Sequence, residues 1–235
     1  LFRSEALSTV NYLVGSGSQA MVANGSMYSL TIHATDGGSM NGVTLRTNAL
    51  LMQEGTKDYT FNNNLFGTSN SARIYVHQYS TNGVLTFNGQ VGYGISNGNN
   101  YFIKAGPGAV RIGSSGSLVS ANTTYIQGGR FIVDGEILRS GTVSVFHTAT
   151  LEGTGSIGTV APSIVQVRGG GTLAASSKAA LDITGSLTMD SYSNYHFTLG
   201  DGADFVSVEG EITLGHHANL KLSIEEEFAL ETPIT

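Results

Sequence analysis

A chain of 235 residues with a net charge of −6 and only 12% charged residues is long enough for one large β-rich or solenoidal unit, with about half the charge density usual in soluble domains. Its 11 Lys and Arg nowhere run three together, which excludes the electrostatic footprint of a nucleic-acid partner. The absence of Cys excludes a disulfide scaffold, a thiolate metal site and a Cys nucleophile.

The opening segment, LFRSEALSTV, lacks the charged start, apolar middle and small-residue cleavage site of a signal peptide. No run of about 18 apolar residues offers a membrane-spanning helix. A start at Leu1 rather than Met points to a piece of a longer protein. With 32 Gly, and Ser, Thr and Asn at most polar positions, the surface is expected to be polar but uncharged, its hydroxyl and amide side chains stacked in ladders along a repetitive sheet.

Through residues 1–100, Asn-Gly pairs recur at 24–25, 41–42, 82–83, 88–89 and 97–98, and both residue types tolerate the positive φ of tight corners. Such pairs suit antiparallel hairpins equally well. Tyr12, Tyr28, Tyr59, Tyr75, Tyr79, Tyr93 and Tyr101 concentrate in this half. They read either as exposed rings for sugars or a protein anchor, or as internal stacks.

Further on, Val143 and Val145 flank Ser144, and Phe131 and Val133 flank Ile132, the period of two that marks half-buried strands. A weak unit then returns, an apolar β segment after a Gly corner, as GGTLAA (170–175), GSLTMD (185–190) and GEITLG (210–215). Self-similarity of this kind favours a solenoid. Ile212 and Leu214 around Thr213, and Leu220, Leu222 and Ile224 around Lys221 and Ser223, continue the alternation. Ser176 to Leu181 allows one helical turn, and Glu225 to Glu227 with Phe228 to Leu230 another short turn. At roughly 20 residues per coil and about 4.8 Å per coil, the chain would build about a dozen coils and a rod on the order of 55 Å. Its ends would expose strand edges, to be capped by neighbouring sequence or by self-association.

Residues 103 to 158 contain IKAGPGAVRIG, ANTTYIQGGRFIVDGEI and ATLEGTGSIG in that order. This stretch resembles the passenger-associated transport repeat of bacterial autotransporters, a K-x-G-x-G-x-L string followed by N-T-Y-x-G-G-T-x-V-x-x-G-x-L and a Gly-rich close. Lys104, Gly106, Gly108, Asn122, Thr123, Tyr125, Gly128, Gly129, Gly135, Leu151, Gly153 and Gly155 match. The departures are an extra Thr124, Arg130 in place of Thr, and a second corner compressed at Asp134 and Gly135. Residues 181–222 are similar to the tract that follows such repeats, with Asp204, Val206, Val208, Gly210 and Leu214 in place.

The resemblance covers about half the chain closely. It implies an all-β, single-stranded, right-handed parallel β-helix: one unit over 1–235, with 1–100 as loosely matching coils, 101–160 as the transport-repeat motif and 161–235 as further coils. It also implies export through the outer-membrane β-barrel translocator of the same full-length protein, to the bacterial cell surface or the medium. It implies no activity, since the repeat is associated with transport and folding of passengers of varied function, many of them adhesive.

Chemical constellations are few. Gly153, Gly155 and Gly158 spell the dinucleotide fingerprint, but Pro162 and β-like IVQV follow instead of the helix that would hold a pyrophosphate; coil corners are expected. His216 and His217 point to opposite faces if in a strand, and His33, His77, His147 and His196 lack metal-ligand spacing. Asp182, Asp190, Asp201 and Asp204 are the only repeated acidic group for the groove of a β-helical polysaccharide lyase or glycosidase. Asp201 to Asp204 also lack the oxygen-rich repeat of a Ca²⁺ site and read as a turn. The sequons at Asn24 and Asn122 carry no assigned function. No catalytic, cofactor-binding or metal-binding residue is therefore assigned and no cofactor expected. The expected role is a non-catalytic stalk with an adhesive face for a host or matrix protein or glycan, the alternative being a carbohydrate-active β-helix.

Overall fold

The computed structural model describes residues 11–21, 25–69, 73–92, 100–175, 179–199 and 205–224. Regular structure among them is all strand, and the pairings are parallel. The strands β1 (Asn11–Val14), β2 (Gly17–Met21) and β3 (Gly25–Ser26) make one turn. The next turn lays β4 (Ser29–Ile32) on β1, β5 (Gly38–Gly42) on β2 and β6 (Leu45–Arg46) on β3. Repeated to β27 (Asn219–Ile224), this cycle gives a parallel β-solenoid of about nine turns with three rows of strands. The described Asn-Gly pairs 41–42, 82–83 and 88–89 therefore belong to coils, not to antiparallel hairpins; Asn24 and the 97–98 pair lie outside the described residues.

Two strands of ten residues, β15 (Ser117–Ile126) and β17 (Glu136–Val145), run around a corner from the third row into the first. They merge those rows into one 17-stranded sheet, while the second row stays a separate 10-stranded sheet. Coils are longer than the expected 20 residues in places: Asn11 pairs with Ser29, 18 residues on, but Arg73 pairs with Tyr101, 28 residues on. The turn number falls below a dozen for that reason. Ten stacked strands at about 4.8 Å give a rod of roughly 43 Å.

Inward side chains stack in columns, because every coil repeats the same register. One column runs Tyr59, Leu85, Val110, Phe131, Leu151 and Leu173; another runs Ile74, Phe102, Thr124, Val143, Val165 and Leu187. Both are buried. The amide ladder expected outside is present: Asn88 donates to Asn62 at 2.9 Å and Asn62 to Asn41 at 2.7 Å. The Gly153 to Gly158 stretch lies in and between β18 (Ala149–Gly153) and β19 (Ser156–Ala161), so it forms coil corners rather than a dinucleotide loop.

At the far end the alternation survives but its burial does not. Ile212, Leu214, Leu220 and Leu222 are 54%, 68%, 68% and 53% exposed, because among the described residues no further coil covers the last one. Of the two expected helical turns, Leu181 lies in β22 (Leu181–Ile183); residues 176–178 and Glu225 to Leu230 lie outside the described residues.

Within the first column the Tyr59 hydroxyl is buried with no protein partner, and burial pushes it up to about 12. A buried hydroxyl left unpaired costs about 1–3 kcal/mol. Tyr59→Phe is expected to stabilise the chain by about 1 kcal/mol, measured as the urea unfolding midpoint. An unchanged or lowered midpoint would show that the hydroxyl is satisfied.

Candidate functional site

Among the described residues, the carboxylates that an enzymatic groove would need, Asp182 and Asp190, lie in different rows. Asp182 is exposed on β22 in the third row, between Ser156 and Ser207 of the adjacent coils. Asp190 follows β23 (Ser186–Met189) in the first row, where it accepts from Arg168 at 3.4 Å and Gln166 at 3.2 Å. Asp134 and Glu152 are likewise each held by one arginine, Arg111 at 3.2 Å and Arg130. Asp190, Asp134 and Glu152 are thus each paired with one arginine, whereas general acid/base hydrolysis of a glycoside asks for two carboxyl groups that face one bond. Asp201 and Asp204 lie outside the described residues.

His216 and His217 form an exposed turn, with His217 at φ 61° and its ring stacked on Tyr192 at 5.4 Å. Among the described residues no three His, Asp or Glu side chains gather as metal ligands.

Lys104 is the side chain in an unexpected place. In β13 (Tyr101–Ala105) it takes an inward position in the column Leu50, Val76, Lys104, Ile126, Val145 and Val167, whose other members are apolar. It is fully buried. Its ammonium donates to Gly106 O at 2.7 Å, to Gly108 O at 2.6 Å and to Gly128 O in the next coil. Burial pulls its pKa down to about 7. The transport-repeat match had assigned Lys104 no task. The signal was its spacing: Phe102 and Lys104 share a face of the strand.

On the outside of the same row lies an aromatic strip. Strand β10 (Arg73–Gln78) buries Ile74, Val76 and Gln78, so Arg73, Tyr75 and His77 point out, and Tyr79 follows at 49% exposure. The rings of Tyr75, His77 and Tyr79 are spaced 6.4 and 6.3 Å and parallel within 12°. Tyr101 and Tyr125 lie 6.1 Å apart with planes 6° from parallel, and Phe146 extends the run 6.0 Å beyond Tyr125. Ile103, in register between Tyr75 and Tyr125, also points outward yet is only 6% exposed, so neighbouring side chains cover it. The Asn122 amide fixes Tyr101 by donating to its hydroxyl at 2.9 Å. Arg73 sits over the Tyr101 ring at 5.3 Å.

The tyrosine surplus had two readings, and the structure divides it between them. Tyr59 is internal, whereas Tyr75, Tyr79 and Tyr101 belong to the strip; Tyr93 lies outside the described residues. His77, weighed only as a metal ligand, is part of the strip. The alternating Tyr75, His77 and Tyr79 carried that signal.

No family model, no curated protein and no solved structure matches the chain.

Proposed function

We propose that the chain is a non-catalytic stalk segment of a bacterial autotransporter passenger. It reaches the cell surface or the medium through the outer-membrane barrel of its own full-length protein, and there presents an adhesive face to a host or matrix protein or glycan. The supporting observation is what the motif residues of 103–158 do. Lys104 ties one coil to the next. At Gly106, Gly108, Gly153 and Gly155 an added Cβ would lie 2.4, 2.1, 2.0 and 1.9 Å from a backbone oxygen of the preceding coil. The pattern that resembles the transport repeat is thus a pattern for stacking coils tightly.

Stacking of that kind suits export. A solenoid nucleates at one point and adds coils by nearest-neighbour packing, so coils that form outside the cell oppose backsliding of the chain. Val143→Glu with Val145→Glu in the full-length protein is expected to slow exposure to an externally added protease several-fold. Export at the wild-type rate would sink this reading. Incubation with soluble polysaccharides separates it from the enzymatic alternative: no turnover is expected, and turnover lost in Asp182→Asn or Asp204→Asn would establish a carbohydrate-active groove.

A further inference from the structure

We propose that the strip formed by Tyr75, His77, Tyr79, Tyr101, Tyr125 and Arg73 binds an acidic polysaccharide built of uronic-acid rings. This rests on the adhesive reading and gives it a place and a ligand class. Three features select such a chain. Rings at nearly constant spacing and orientation along β10 match a ligand of repeated flat units, because the C–H face of a pyranose packs on an aromatic face. The strip lies on the flat outer side of a sheet, where a linear polymer can lie across several coils.

Charge complementarity supplies the third feature. Arg73 is exposed, and its guanidinium lies over the Tyr101 ring, a contact that positions it without neutralising it. No Asp or Glu belongs to the strip, and the flanking segments 70–72 and 93–99 contain none in sequence. A planar guanidinium held in place is suited to a bidentate carboxylate. Thr123 and Thr142, paired on successive coils of the same row, are neutral groups able to hydrogen-bond sugar hydroxyls.

Titration of the 235-residue chain with oligogalacturonate, and with its methyl ester as the same rings without charge, tests the assignment. The acid form is expected to bind and the ester at least tenfold more weakly. Tyr75→Ala should weaken the acid form by tenfold or more. Arg73→Gln should reduce the acid form to the level of the ester and flatten its salt dependence. Tyr192→Ala, an exposed ring elsewhere on the rod, should change nothing, and thermal melts of all variants should overlay the wild type. Several results would overturn the proposal: no binding of the acid form, equal binding of acid and ester, strip variants that bind as wild type, or an equal loss in Tyr192→Ala. Because the purified chain is titrated, a negative result leaves the export test untouched, and a failed export test leaves this one standing.

Discussion

Val143→Glu should unfold the centre of the rod, while Thr142→Glu, one residue away, should be tolerated. Val143 is fully buried and stacked between Thr124 of one coil and Val165 of the next. A carboxylate there has no cation in its column and must either stay ionised without water or take up a proton, and an uncompensated buried charge costs about 3–5 kcal/mol. Thr142 alternates to the outside of the strand, where the added carboxylate meets solvent and surface substitutions change stability by about 0.5 kcal/mol or less. Coils hold only their neighbours, so the loss at one coil divides the cooperative unit. Hydrogen exchange should show fast amides spreading outward from β15, β17 and β20 (Ile164–Val167), with the terminal coils protected longer. Equal midpoints for the two variants would mean that the coil is not packed as described.

The same contrast explains what the sequence made legible. Alternation such as Val143-Ser144-Val145 identifies strands from local information, since one face must be apolar wherever a sheet covers a core. The direction of pairing is not local: an Asn-Gly corner leads into a hairpin or into the next coil depending on which strand it meets. Only the repeated units at 170–175, 185–190 and 210–215, and the likeness at 103–158, pointed to stacking. Turn number was misjudged because insertions between strands lengthen coils without altering the register, as between Arg73 and Tyr101. Ile212 and Leu214 have the correct pattern for burial and lack it because no coil covers them among the described residues.

The sites were harder to read, for a related reason. Tyr75, His77 and Tyr79 are alternate residues of one segment, but Tyr101 and Tyr125 reach them only through the register of successive coils. A lysine in an alternating strand normally marks the solvent face, because a buried ammonium without partners is strongly disfavoured. The three glycine carbonyls that reverse this at Lys104 come from two corners in different coils. Neither corner displays a charge, and the glycine motif that Gly106, Gly108 and Gly128 match does not announce their carbonyls as acceptors.

Lys104 makes stability depend on pH in a direction opposite to that of a salt-bridged lysine. Desolvation places its folded pKa at about 7, below the ordinary 10.5. Below pH 7 the group is protonated in both states and contributes no slope. Between about 7 and 10.5 the unfolded chain holds a proton that the folded chain has released, so stability rises with pH, by up to about 1.4 kcal/mol per unit. Lys104→Met removes that slope and leaves the carbonyls of Gly106, Gly108 and Gly128 without their donor, at about 1–3 kcal/mol for each that stays buried. Its destabilisation relative to wild type is therefore expected to grow from pH 7 to 10 in urea titrations. A constant difference would mean that the three carbonyls hold the ammonium charged throughout, with burial the weaker influence. Lys104→Ala separates the two contributions further: its vacated acceptors should bind ammonium ion and recover part of the lost stability, whereas an apolar collapse at this corner would leave the variant indifferent to added ammonium.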